Sequence, residues 1–275
     1  MIDWKQIAVM NISYQFFSLE YFFSSISRIG FQNVDLWTGY PHLLLDESYA
    51  AQCAAIRQSA DEHGLSIVNL TPKVIGWPLN IADENDRVRE NAVAYIKRAA
   101  DAALLLGARS LQLVPGTGLY DRPKEAAWDR SRASLKQIAQ YAQEIGVELA
   151  LEAIQNVETN LVLNAKDLAR MVGEVDHPAL GAVVDTTHIE KNAETLCDYF
   201  DLLGERIRRV HLNESDQLPW GLGHGDLRGH VLALEKAGYN GPCTVEICSR
   251  IHYLEPHAAM EQTYRHMQSV LADQG

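Results

Sequence analysis

Four side chains in this 275-residue chain stand out for their chemistry and spacing: Glu152, Asp185, His211 and Glu246. Each closes a short run of strand length. Glu148–Glu152 reads Glu-Leu-Ala-Leu-Glu, Leu180–Asp185 reads Leu-Gly-Ala-Val-Val-Asp, Ile207–His211 reads Ile-Arg-Arg-Val-His, and Thr244–Glu246 reads Thr-Val-Glu. One carboxylate at a strand end is usually a cap or an ion-pair partner. Four ligand-type residues at equivalent places in consecutive segments point instead to one centre, because parallel strands bring their C-terminal ends together. Three carboxylates and an imidazole suit one divalent metal per chain, with Mn2+ expected first and Co2+, Mg2+, Ni2+ or Zn2+ as alternatives. Such an ion polarises a carbonyl and stabilises the enediolate left by loss of a neighbouring proton. Glu152 and Glu246 are the bases available to move that proton, and so the expected catalytic pair.

Other residues are placed to hold a substrate. His188 follows Asp185 by three positions, in a loop expected above the metal, and suits a hydrogen bond to a substrate oxygen. Glu158, six positions past Glu152, suits a hydroxyl contact. Trp37 and His42 follow the second strand-like run, where an aromatic and an imidazole fit a polar, sugar-like ligand.

The elements that must position these residues repeat eight times. Ile7–Ile12 reads as a first strand, and Leu19, Phe22, Phe23, Ile26 and Ile29 recur at helical spacing up to a capping Gly30. Strands over Val34–Trp37, Leu65–Leu70 and Ser110–Val114 alternate with helices that stop near Gly64, Gly107 and Gly146. After the Glu152 strand, Asn164 reads as an N-cap with Asp167 three residues on. The apolar runs lack polar alternation, as strands buried on both faces require. In a doubly wound sheet a glycine-rich phosphate loop follows the first strand, whereas Ile12-Ser13-Tyr14-Gln15 stands there. The expectation is a single (β/α)8 TIM barrel over residues 1–275, with its site at the strands' C-terminal ends.

A formal charge of −12 disfavours nucleic acid and anionic membrane as main partners. Cys53, Cys197, Cys243 and Cys248 form no metal-finger or C-x-x-C pattern, as in a reduced compartment. Met1-Ile2-Asp3-Trp4-Lys5 does not open a secretory leader, and no apolar run reaches the roughly 20 residues of a membrane span. A cytoplasmic enzyme acting on a small sugar or sugar-amine is expected, with homo-oligomerisation left open.

Several segments carry a family resemblance: Leu151-Glu152-Ala153, Asp185-x-x-His188, His211-x-x-Glu214-Ser215-Asp216, Pro219 through Gly221-x-Gly223-His224 to Asp226, and Thr244-Val245-Glu246. By these the chain resembles the sugar isomerase/epimerase superfamily of xylose-isomerase-like barrels. The resemblance implies Glu152, Asp185, His211 and Glu246 as metal ligands, with Glu152 and Glu246 doubling as acid and base and Glu158 and His188 touching substrate. Trp37-x-Gly39-x-Pro41-His42 and Leu70-Thr71-Pro72 through Gly76-Trp77-Pro78-x-Asn80 look like fructoselysine 3-epimerases. Ketohexose 3-epimerases usually carry arginine six residues past the seventh-strand histidine; here that residue is Gln217. The implied activity is 3-epimerisation of a ketose or fructosamine through a cis-enediolate. A hydroxypyruvate-type aldose–ketose isomerase and an inosose dehydratase-like lyase remain alternatives on the same metal site. The abasic-site endonucleases of this fold need a histidine where Arg228 stands.

Overall fold

The computed structural model describes residues 2–74 and 78–272. Eight parallel strands close into a barrel in sequence order: β1 (Ile7–Met10), β2 (Asn33–Trp37), β3 (Ser66–Thr71), β4 (Ser110–Leu113), β5 (Glu148–Glu152), β6 (Leu180–Asp185), β7 (Ile207–His211) and β8 (Cys243–Val245). β8 pairs with β1 through Ile7↔Cys243, Ala8↔Thr244 and Val9↔Val245, so no sheet edge is left open. Outside lie α1 (Leu19–Ile29), α2 (Tyr49–Glu62), α3 (Asp86–Leu105), α4 (Lys124–Ile145), α5 (Ala165–Val175), a short α6 (Thr186–Lys191), α7 (Leu196–Leu203), α8 (Leu227–Lys236) and α9 (Pro256–Ala272). No helix among the described residues is long and apolar enough to cross a membrane.

Local chemistry explains why the elements start and stop here. The Asn164 side chain accepts from Asp167 N and opens α5. Gly30 closes α1 at φ 117°, and a Cβ there would lie 2.9 Å from the Tyr264 hydroxyl, so both conformation and packing select glycine. α3 turns Ala92, Ile96, Ala99 and Ala103 onto the barrel, where small side chains let helix and strand approach closely.

Two strands are shorter than the apolar pattern suggests, for a shared reason. β1 stops at Met10, and Asn11–Tyr14 form a 3-10 turn instead of continuing to Ile12. The Asn11 side chain replaces the next ladder step: Oδ1 accepts from Trp37 N at 2.6 Å and Nδ2 donates to Trp37 O at 3.0 Å. β8 stops at Val245, one residue before Glu246, whose N–H donates to Asn213 Oδ1 at 2.8 Å. His188 lies on α6 rather than in a loop, because Asp185 ends β6 and also caps α6 by accepting from Thr187 N at 2.7 Å.

Candidate metal centre and active site

Strand register brings the ligand-type residues together. Asp185 stands beside His211 on β6 and β7, His211 beside Thr244 on β8, and Glu152 beside Val183 on β6. Donor atoms of Glu152, Asp185 and His211 all lie within 4.8 Å of one another, and all three residues are buried. His211 Nδ1 is 3.3 Å from Glu152 Oε1, 3.9 Å from Asp185 Oδ2 and 3.4 Å from Glu246 Oε2. Glu246 comes as near to His211 as the others do, but its side chain is the most exposed of the four at 14% and so stands at the rim of the trio.

Donor chemistry supports a cation at this point. Glu152 Oε1 and His211 Nδ1 and Nε2 are buried without a hydrogen-bond partner, which buried polar atoms rarely are. The carboxylates are also tethered: Gln112 Nε2 donates to the other Glu152 oxygen, Oε2, at 2.7 Å, while Asp185 accepts from Thr187 N at Oδ1 (2.7 Å) and from Asn213 Nδ2 at Oδ2 (3.0 Å). Bare buried donors on side chains whose orientation is fixed by neighbours are what a divalent ion needs.

The same crowding shifts the acidities apart. Burial pushes the Glu152 carboxyl well above the usual range, and Asp185 and Glu246 add to the effect against the pull of His211. Burial also works to raise Glu246, but the His211 imidazole beside it outweighs that and holds it low. Burial alone would lower His211; the carboxylates of Glu152, Glu246 and Asp185 instead raise it to about 10. Burial, reinforced by Glu246, raises the Cys248 thiol, which stays protonated and donates to Glu246 Oε1 at 3.1 Å.

Over the cluster opens a cavity of about 250 Å³, walled by Trp37, Glu152, Glu158, His188, Gln217 and Glu246 among others. A family model described as xylose isomerase-like TIM barrel matches residues 23–270. The chain belongs to that family. Among its relatives, fructoselysine 3-epimerase of Escherichia coli O157:H7 is 28% identical over 271 residues, covering 96% of this chain and 98% of that protein. A ketose 3-epimerase of Arthrobacter globiformis is 27% identical over 61% of this chain and 59% of its own. The solved D-psicose 3-epimerase from Clostridium cellulolyticum H10, crystallised with D-tagatose, superposes with a TM-score of 0.79 at 18% identity, over 98% of this chain and 97% of that one.

Within this xylose isomerase-like barrel, the expected substrate contacts are placed unevenly. Trp37 forms one wall of the cavity, with Lys73 Nζ 5.6 Å from its ring centroid. A Cβ on Gly39 would fall 1.5 Å from the Trp37 indole, so the glycine is what lets the ring lie there. Glu158 faces the cavity, and the buried His188 has an unpartnered Nδ1. His42 is not on the cavity wall. Burial keeps its imidazole neutral; Nδ1 accepts from Asn11 at 2.6 Å and Nε2 donates to Phe17 O at 2.9 Å, so the ring braces the first two βα loops. Gln217 donates to Glu246 Oε2 at 3.2 Å. Of the Leu70–Asn80 segment, Gly76 and Trp77 lie outside the described residues.

The loop motif after β7 has a structural explanation. The buried Glu214 carboxylate accepts from the backbone of Ser215 at 2.8 Å and Gly221 at 3.1 Å, and from Gly225, folding the loop back on itself. Gln112 and Asn213, which hold the Glu152 and Asp185 carboxylates, were not among the expected site residues. Asn213, two residues past the end of β7, had its place as a signal, whereas Gln112 lies inside β4 and had none.

Proposed function

We propose that the chain is a divalent-metal-dependent 3-epimerase of ketoses, with Mn2+ as the first choice of ion and a fructosamine of the fructoselysine type as preferred substrate. The observation carrying this reading is the buried Glu152–Asp185–His211 cluster with Glu246 at its rim, under a cavity of sugar-like polarity. The nearly full-length likeness to a protein named fructoselysine 3-epimerase supports the choice of substrate. The neutral Gln217 beside Glu246 fits it too, since it leaves room and no fixed positive charge where free-ketose enzymes are expected to carry arginine.

Glu152, Asp185 and His211 would hold the ion, with Glu246 as fourth ligand. A bound divalent cation would polarise the substrate carbonyl and stabilise the charge left by proton loss from the adjacent carbon. The remaining work falls to the protein's own groups. Glu246 takes the C3 proton on one face, and Glu152 returns one to the other. In the reverse direction the two exchange roles. Gln112 and Asn213 keep Glu152 and Asp185 from rotating.

The test is turnover in deuterated water with added Mn2+, using fructoselysine, free fructose and psicose. Deuterium is expected at C3 of the product. Replacing Glu152 or Glu246 with Gln should abolish epimerisation at retained metal content. Label at C1 would instead indicate an aldose–ketose isomerase, and loss of a hydroxyl a dehydratase.

A further inference from the structure

The catalytic cavity has a neighbour. A second cavity of about 270 Å³ shares Ile154, Gln155 and His188 with it and continues past Asn156, Lys191 and Asn192. The shared wall includes a polar atom in need of a partner: His188 is 7% exposed, and its Nδ1 is buried without a hydrogen bond. The lining differs in kind from that over the cluster. Half of its lining residues are amides, one is an ammonium, and among the described residues no carboxylate lines it. Lys191 Nζ lies 3.5 Å from Asp216 Oδ1 and 3.4 Å from Gln155 Oε1. The Asp216 carboxylate is 70% exposed, so water screens that pair and the ammonium can exchange it for another anion at little cost.

We infer that this second cavity is a subsite for the substituent of a substituted ketose, and that it selects an anionic, hydrogen-bonding head such as an amino-acid carboxylate. The inference rests on the ketose reading of the first cavity. The sugar sits over the Glu152–Asp185–His211 cluster. Its substituent passes His188 and Gln155, and its carboxylate meets Lys191 among the amides. A free hexose ends before this lobe and gains nothing from it.

The test compares three ligands: fructoselysine, its decarboxylated counterpart fructosyl-cadaverine, and free fructose. Calorimetry on the metal-loaded protein gives affinities, and C3 exchange in deuterated water gives turnover. Fructoselysine is expected to bind about tenfold tighter than fructosyl-cadaverine, the worth of one charge-assisted contact. Lys191→Ala should bring the two within about twofold of each other. Asn156→Trp, on an exposed loop position, should fill the lobe and weaken fructoselysine about tenfold while leaving C3 exchange of free fructose unchanged. Equal affinity for the two amines in the unmodified protein overturns the subsite, as does an Asn156→Trp variant that binds fructoselysine normally or loses fructose exchange equally. Absence of C3 exchange with every ketose would overturn the 3-epimerase reading alone, since the affinities still decide what the lobe binds.

Discussion

The Gln112 carboxamide donates to Glu152 Oε2 at 2.7 Å and leaves Glu152 Oε1 as the oxygen that faces His211. This single bond sets which oxygen is available to an ion or a proton. Gln112 Oε1 lies 3.4 Å from Thr71 Oγ1, which itself donates to the buried Asp35 at 2.7 Å. Replacing Gln112 with Leu keeps the volume but removes the tether. The expected result is a fall in kcat of about tenfold or more, with KM within about threefold, because a loosened base reacts poorly while the sugar's other contacts remain. An unchanged kcat at full metal content would remove Gln112 from this role.

Asn213 should control metal affinity more than turnover. Its Nδ2 holds Asp185 Oδ2 and its Oδ1 accepts the Glu246 N–H, so one side chain orients one ligand directly and another through the backbone. Partners of metal ligands typically contribute 10–100-fold in affinity. Asn213→Leu is therefore expected to weaken the ion by roughly that range. Competition with a calibrated chelator measures it, and saturating metal should restore much of the lost rate. Unaltered affinity would mean that Asp185 is held adequately by Thr187 N alone.

Loading the metal should release protons. With its pKa raised to about 10 by three carboxylates, His211 is protonated at pH 7 in the ion-free protein. It must lose that proton before Nδ1 can bind a cation, and the raised Glu152 adds to the count. Apparent affinity should therefore rise with pH across the neutral range and flatten as pH passes the His211 value. Titration with Mn2+ in two buffers of different ionisation enthalpy reads the number directly, and at least one proton per ion is expected at pH 7. A heat independent of buffer would place the ion elsewhere.

The sequence made the barrel and the strand-end cluster legible because both rest on local signals. Apolar runs of strand length end on Glu152, Asp185 and His211, and Gly30 and Asn164 mark helix ends where the structure has them. Residues acting across the barrel were not legible. Asp35, Gln112 and Arg209 are polar side chains inside strands, and only the closed register shows that they point inward and meet. His42 illustrates the opposite error. Its distance from a strand end fits a mouth contact, but the turn through Asn11 aims the ring into the loop packing. His188 was read as a loop residue because a six-residue helix capped by the strand's last residue has almost no periodic pattern to detect.

The last prediction concerns the barrel floor. Asp35 and Arg209 are both fully buried, with Arg209 Nη1 4.0 Å from Asp35 Oδ2. Thr244 Oγ1 links them, accepting from Arg209 at 3.1 Å and donating to Asp35 at 2.9 Å, while Asn69 Nδ2 donates to the other Asp35 oxygen at 2.8 Å. Desolvating two charges costs about as much as their attraction returns, so the pair as a whole adds little net stability. Breaking it is different. Arg209→Met leaves a buried carboxylate without its countercharge, and destabilisation of about 3–5 kcal/mol is expected. Asp35→Leu should cost a similar amount by stranding the guanidinium. The double variant removes both charges and should be markedly more stable than the sum of the singles implies. Denaturant unfolding of the four proteins gives the coupling directly. Strictly additive losses would show that the two charges do not sense each other across the floor, and that the Thr71, Thr244 and Asn69 hydrogen bonds hold Asp35.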